Sequence, residues 1–291
     1  MQEGKRFREV RLPSVGGFPP TEGSWNDPHD RVVNTLNGKS SEMKPAYGTA
    51  VLKAAAILQC LSGSDSPLGV SEISRKTGIG KSTVHKLLQT LIHVGYVEKT
   101  QRDARFRLGI GLIKMAHNSL SRMDIVQVSA PFLETLNEET GETVHLGVPD
   151  GHQVVYVNKL ESRRAVRMYS RVGLTAPLYC TGLGKAILSC FSPEEFSRYL
   201  EETKLRSYTQ NTLSSPSALT REMETIRKRG YVIDDGEHEE EVRCIAVPLE
   251  KGSRIFGAVS VSAPRYRMDD GVLLKYLPPL KICQKNILER L

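Results

Sequence analysis

Several side chains in the second half of the chain have the right chemistry for catalysis: Cys180 and Cys244 as thiol nucleophiles, His145 and His238 as bases, and Asp234 to orient an imidazole. An enzyme built on them would process a small acid, provided that a thiol and an imidazole come within hydrogen-bond reach. His145, His238 and Cys244 would equally suit a metal-sensing protein, although no H-x-x-x-H spacing is present. The five cysteines are odd in number, widely spaced and never paired as C-x-x-C, which argues against a disulfide framework or a zinc knuckle and for reduced thiols. A third chemistry lies at Thr181-Gly182-Leu183-Gly184. This reads as a turn feeding a helix, whose free backbone N–H groups would converge on an anion. It is not a phosphate loop, because Tyr179 stands where a glycine is needed and Ala186 where Ser or Thr is needed.

The first half offers polyanion chemistry. The chain carries a net charge of +7, and the segment from Ala46 to Arg122 has eleven lysines and arginines against four acids, so the whole excess sits there. Lys81, Ser82, Thr83, His85, Lys86 and Gln89 occupy the polar positions of a helix whose apolar stripe is Val84, Leu87, Leu88, Leu91 and Ile92. Lysine suits guanine or phosphate, Ser and Thr, with Ser71 among the expected DNA contacts, suit phosphate or base edges, and glutamine suits adenine. Arg102, Arg105 and Arg107 cluster around a turn and are placed to follow an adjacent phosphate ridge. The expected partner is double-stranded DNA.

The elements that must position these groups follow from periodicity. Thr49 to Leu61 reads as a first helix, and Ser71 is placed to cap a second that runs to Thr77 before Gly78. The third starts after Gly80 and continues to about Val94. Tyr96 to Thr100 and Arg105 to Leu108 then form a two-stranded wing around Gln101-Arg102-Asp103-Ala104. Leu112, Met115, Ala116 and Leu120 mark a linker helix within 110–123. In residues 124–291, strands are expected at Thr143–Val148, Gln153–Lys159, Ala165–Tyr169, Tyr231–Asp234, Arg243–Leu249 and Ile255–Ser262. Helices are expected from Asp124 to near Gly141, then at Gly184–Cys190, Pro193–Leu200 and Ala218–Arg229, with a terminal one over Gly271–Leu291 kinked at Pro278-Pro279. The fold class is α+β in two domains, a winged helix-turn-helix at 47–109 and a domain with a mainly antiparallel sheet at 124–291. Residues 1–46 read as a disordered extension that includes the lone Trp25, with Met43 placed as an alternative start. No run approaches 18 apolar residues and no secretory core opens the chain, so the expected location is cytoplasmic, at the nucleoid when bound to DNA.

The run from Leu68 to Leu88, followed by Gly95-Tyr96-Val97, resembles the winged DNA-binding domain of the IclR family of bacterial regulators. Gly141 to Leu146, Pro177 to Ala186, and Gly230-Tyr231 through Asp234 to His238 and Arg243 to Pro248 resemble that family's effector-domain signatures in the same order. The resemblance implies a GAF/profilin-like effector domain and a homo-oligomer, dimer or dimer of dimers, that binds operator DNA, most often as a repressor of a catabolic operon. It also implies a small carboxylate effector held by Thr181, Gly182 and Leu183, by Asp234 and Cys244, and by Ser260, Val261 and Ser262, with no cofactor, metal or membrane. Met168 to Gly173, followed by Pro177-Leu178-Tyr179, is similar to the branch that responds to sugar acids such as 2-keto-3-deoxygluconate. Two departures stand out. Glu241 occupies a position that is usually glycine, and Leu183 one that is often alanine.

Overall fold

The computed structural model describes residues 48–164 and 168–291, and the chain divides into two units, Met1–Ile110 and Gly111–Leu291. The expected extension over residues 1–46 lies outside the described residues. So do Ala165, Val166 and Arg167 of the expected strand Ala165–Tyr169, while Met168 and Tyr169 belong to no strand.

The first unit is built from α1 (Thr49–Ser62), α2 (Val70–Thr77), α3 (Lys81–His93) and a hairpin of β1 (Val97–Lys99) and β2 (Phe106–Leu108). Its core joins Ala56, Ile57 and Leu61 of α1 to Ile73 of α2, Val84, Leu88 and Leu91 of α3, and Val97 and Phe106 of the hairpin. Helical spacing puts each set on one face, and burial of each large aliphatic side chain contributes about 1.5–3 kcal/mol. Gly78 ends α2 at φ 71°, a left-handed conformation that favours glycine. Ser71 does not cap α2. The helix begins two residues earlier than a Ser71 cap would place it, after Gly69, whose N–H donates to the Glu72 carboxylate at 2.9 Å, so the acid at the third helical position does the capping. The hairpin gains a third edge from Leu68, which exchanges two 2.9 Å backbone bonds with Phe106.

The second unit contains α4 (Ile110–Leu120, beginning at the boundary), α5 (Asp124–Thr140), β3 (Thr143–Asp150), β4 (Gln153–Leu160), β5 (Thr175–Pro177), α6 (Gly182–Ser189), α7 (Pro193–Glu202) and α8 (Pro216–Arg229). These are followed by β6 (Val232–Asp235), β7 (Val242–Lys251), β8 (Arg254–Pro264) and α9 (Asp270–Arg290). The strands form one six-stranded antiparallel sheet in the order β5-β4-β3-β8-β7-β6. One face packs on α5 and α9 through Val144, Leu146, Val247, Val259, Val261, Leu133, Leu280 and Ile287. The other face carries α6 and its neighbours through Val154, Ala246, Ala258, Leu183, Ile187, Leu219 and Met223. Alternation along each strand thus assigns neighbouring residues to different layers. The terminal helix is a single element that runs through Pro278 and Pro279.

Candidate functional site

In the first unit, the apolar stripe of α3 is buried as periodicity requires, and Lys81, Ser82, His85, Lys86 and Gln89 stand exposed on the other side, with Thr83 half-buried. Gly80 precedes the helix without a side-chain cap, so the first N–H groups of α3 have no side-chain acceptor from the capping residue. The wing divides its arginines. Arg102 is exposed at the tip, close to Ala104, which has a left-handed φ of 54°. Arg107 pairs across the hairpin with Glu98. Arg105 bonds the Pro67 carbonyl at 2.6 Å and the Glu72 carboxylate at 3.0 Å, and Asp103 lies 3.6 Å away. Arg105 therefore ties the wing to the start of α2. Arg105→Ala is expected to lower the thermal midpoint of this unit by a few degrees and leave the salt dependence of DNA binding unchanged. A fall in the salt slope with no thermal effect would make Arg105 a phosphate contact instead.

In the second unit, strand register builds a polar strip across one sheet face. Asp234 on β6 stands opposite Cys244 on β7, Cys244 opposite Ser262 on β8, and Ser260 opposite His145 on β3. Over this strip lies a recess lined by Thr181, Gly182, Leu183, Asp234, Cys244, Ser260 and Ser262, with a volume of about 40 Å³. Val261 does not join them. The pleat turns it into the opposite core between the sheet and α5 and α9, because neighbouring residues of a strand cannot share a face. His145, Tyr156, Met168, Ser170, His238, Glu239 and Val242 complete the lining. Of these, the sequence had singled out His145 and His238 for other chemistries, and Met168 and Ser170 only as part of the run from Met168 to Gly173 that resembles the sugar-acid branch. Finding His145 required the β3–β8 register, and finding Tyr156 the pairing of β4 with β3.

Two N–H groups of the turn into α6 are already partnered. The Gly182 N–H donates to Asp234 Oδ2 at 3.0 Å, and the Gly184 N–H to the Thr181 hydroxyl at 3.1 Å. The second Asp234 oxygen accepts the Glu237 N–H at 3.0 Å. Packing also dictates both glycines. A Cβ at Gly182 would lie 2.3 Å from Cys244 Sγ, and one at Gly184 2.3 Å from the Leu178 carbonyl. Leu183 is buried at the recess, and the Gly147 backbone comes close above it because it has no side chain. Glu241 is exposed and outside the lining, so the departure from glycine leaves the recess untouched.

The electrostatics behind the wall centre on Lys185, which is 1 % exposed. Its ammonium bonds Glu237, the Ile233 carbonyl at 3.1 Å and Glu222 at 3.3 Å. Burial lowers its pKa, but the carboxylates of Glu237, Asp234 and Glu222 outweigh burial and hold the ammonium above its ordinary value. On the wall, burial pushes the Asp234 carboxyl up, with Lys185 and the two backbone N–H groups opposing. Burial, helped by Asp234, does the same to Glu239. Burial drives His145 down to about 3, with Lys159 adding to the effect, and lowers His238 against the pull of Asp234. His145 Nε2 lies 2.7 Å from the Ser170 hydroxyl, its Nδ1 3.3 Å from Ser262, and its ring meets Tyr156 edge-on. Lys159 reaches the carbonyls of Met168 and Ser170 and thereby fastens this segment over the recess.

These distances do not assemble a nucleophile. Cys244 Sγ is 3.8 Å from Asp234 Oδ2, its thiol is raised well above its ordinary value by burial and Asp234, and the hydrogen bonds of His145 go to serines. Cys180 is likewise held protonated by burial. Among the described residues, no three His, Cys, Asp or Glu side chains converge as a metal site, and no helix is long and apolar enough to cross a membrane.

Comparison with known proteins agrees with both halves. Residues 50–101 match the IclR helix-turn-helix domain, and residues 117–288 match the bacterial transcriptional regulator IclR C-terminal domain. The chain is 34% identical over 233 residues to the HTH-type transcriptional regulator XynR of Escherichia coli, covering 80% of this chain and 92% of that one. It is 32% identical to the regulator KdgR of the same organism, covering 84% and 94%. Among solved structures, the Thermotoga maritima IclR superposes with a TM-score of 0.67 at 33% identity, covering 82% of this chain and 97% of that one. A winged reader with a basic exposed helix face, joined to a sheet domain that encloses a polar recess, accounts for every one of these matches, and the chain belongs to the IclR family of DNA-binding, ligand-responsive transcription regulators.

Proposed function

We propose that the chain represses a catabolic operon as a homodimer or dimer of dimers, placing paired α3 helices on a pseudo-palindromic operator and releasing it when a small hydroxylated acid occupies the recess. The observation that carries this reading is the recess itself: the polar strip from Asp234 to His145 lies on a sheet face that is otherwise apolar. A groove with a few convergent polar groups in a domain attached to a DNA reader suits an effector. The similarity to KdgR supports the sugar-acid branch.

The recess is about 40 Å³, room for a few waters, and a molecule of several carbons selects a more open arrangement. Unequal affinity for the two arrangements is all that a switch requires. A second copy of the chain is the partner best suited to α4. This helix has no buried residue, yet Ile110, Ile113 and Met115 are 61%, 64% and 53% exposed, and on α1 Val51 is 72% exposed. Apolar faces of this kind mark an interface, and a two-fold pair of third helices needs one. Catalysis is disfavoured because no thiol meets an imidazole among the described residues.

The test is the double change Ser260→Ala and Ser262→Ala, which removes hydroxyls from the recess without adding bulk. With DNA from upstream of the protein's own gene and D-gluconate as the probe, the variant should bind DNA as the parent does and need about tenfold more gluconate for release. Equal sensitivity in variant and parent would remove the recess from the response.

A further inference from the structure

The helical layer on one face of the second unit has an apolar row that the core does not use. On α9, Leu273, Tyr276, Leu280, Cys283 and Ile287 are buried against the sheet and α5. Leu274, Pro278 and Ile282, each four residues from the next and so on one line of the helix, point the other way and are exposed. Pro131 of α5 is exposed in the same layer. Pro278 and Pro279 lack the N–H groups that the carbonyls of Leu274 and Lys275 would otherwise accept, so the outer face of α9 also forgoes two helical bonds here. An outer apolar row of this kind belongs to an interface.

The charges of the two helices indicate what covers it. α5 carries four acids (Asp124, Glu134, Glu138 and Glu139) and no base, whereas α9 carries four bases (Lys275, Lys281, Lys285 and Arg290) against two acids. The helices run antiparallel, since the Tyr276 hydroxyl donates to the Thr140 carbonyl at 3.3 Å and the Cys283 thiol lies 3.5 Å from the Phe132 carbonyl. Acidic and basic strips thus lie side by side in one chain without neutralising each other. Glu134 and Lys275 have no ion pair among the described residues, and Glu138 and Lys285 take only the exposed partners Arg163 and Glu289. Two copies packed face to face have two choices of two-fold axis. An axis across the helices sets α5 on α5, acid on acid, and an axis along them sets each α5 on the other copy's α9, acid on base. The second axis keeps every residue at its own height, which brings Glu134 within about one turn of Lys285 in the other copy and Glu138 within about one turn of Lys275.

We propose that the outer face of α5 and α9 binds a second copy of the chain, each α5 lying on the other's α9, and that this contact joins two α4-paired dimers into a tetramer. The inference takes from the proposed function only the pairing through α4, and it needs neither the recess nor its ligand. Burial of Leu274, Pro278 and Ile282 supplies the affinity, and the acidic and basic strips fix the orientation, because the alternative sets like charges together. A chain with two different two-fold surfaces can close into a dimer of dimers.

Sedimentation of the full chain at micromolar concentration reads the assembly, and the parent should sediment as a tetramer. Leu274→Gln with Ile282→Gln removes apolar surface at exposed positions and introduces a good helix former, so it should weaken the tetramer by at least about tenfold and leave dimers with unchanged circular dichroism. Lys275→Glu with Lys285→Glu should do the same by setting acid on acid, and adding Glu134→Lys with Glu138→Lys should restore the tetramer. A dimeric parent, a tetramer untouched by the glutamine pair, or a fourfold charge variant that stays dimeric would overturn the inference and leave the α4 pairing standing. A monomeric parent would overturn the inference together with that pairing.

Discussion

Replacing Lys185 with methionine is expected to destabilise the second unit by about 3–5 kcal/mol, the effect of removing one partner from a buried ion pair. The methylene stem of lysine already packs in the helix that faces the sheet, so methionine fits the shape and isolates the charge. What the substitution leaves behind is Glu237, largely buried and no longer opposed by an ammonium. In the parent, burial pushes the Glu237 carboxyl up to about 7 even with Lys185 beside it. Without Lys185 that carboxyl must take up a proton on folding or remain as an uncompensated charge. At a pH below the ordinary carboxylate range, folded and unfolded chains both hold this proton, and its loss from the unfolded chain contributes nothing. As the pH rises, the unfolded chain releases the proton while the folded one retains it, so stability falls. Urea unfolding of Lys185→Met should therefore show a larger deficit at pH 7.5 than at pH 5. A deficit below about 1 kcal/mol at both would mean that Glu237 reaches water and that the network carries no structural weight.

Replacing Lys81 and Lys86 together with alanine is expected to weaken binding to a random-sequence duplex by at least about tenfold and to reduce the slope of log K against log salt by about 1.8, or about 0.9 for each phosphate that a lysine no longer neutralises. Both side chains are exposed on α3, one at its N-terminus and one on its second turn, on the face away from Val84 and Leu88. Alanine favours helix, and neither lysine packs in the core, so the thermal midpoint should hold. Fluorescence anisotropy from low to moderate salt gives both quantities. An unchanged slope would mean that α3 does not lie against phosphates and would reject the docking geometry. Set beside Arg105→Ala, the double variant separates two kinds of basic residue in one motif: those that face the duplex and those that hold the wing in place.

Much of this protein was legible in its sequence because the relevant signals are local. Helical spacing placed Val84, Leu88 and Leu91 inside and Lys81, Ser82, His85, Lys86 and Gln89 outside, since neighbours on one helix share a single rotation per residue. Charge counting located the basic module, because formal charge needs no fold. Alternation found the strands of the second unit to within a few residues, except for the short β5, whose three residues carry too little pattern, and the segment that begins outside the described residues.

Long-range pairing was out of reach of the sequence. Nothing local shows that Arg105 belongs to Pro67 and Glu72, or that Asp234 consumes the Gly182 N–H expected to hold a ligand. Each requires two segments to meet, separated by 38 residues for Arg105 and Pro67 and by 52 for Gly182 and Asp234. Sequence alone determined the class of the protein, the order of its parts and the outward face of its reading helix, all set by short-range periodicity and charge. Only the tertiary structure decided which polar groups are already paired. In a buried recess, groups partnered in this way hold the fold together.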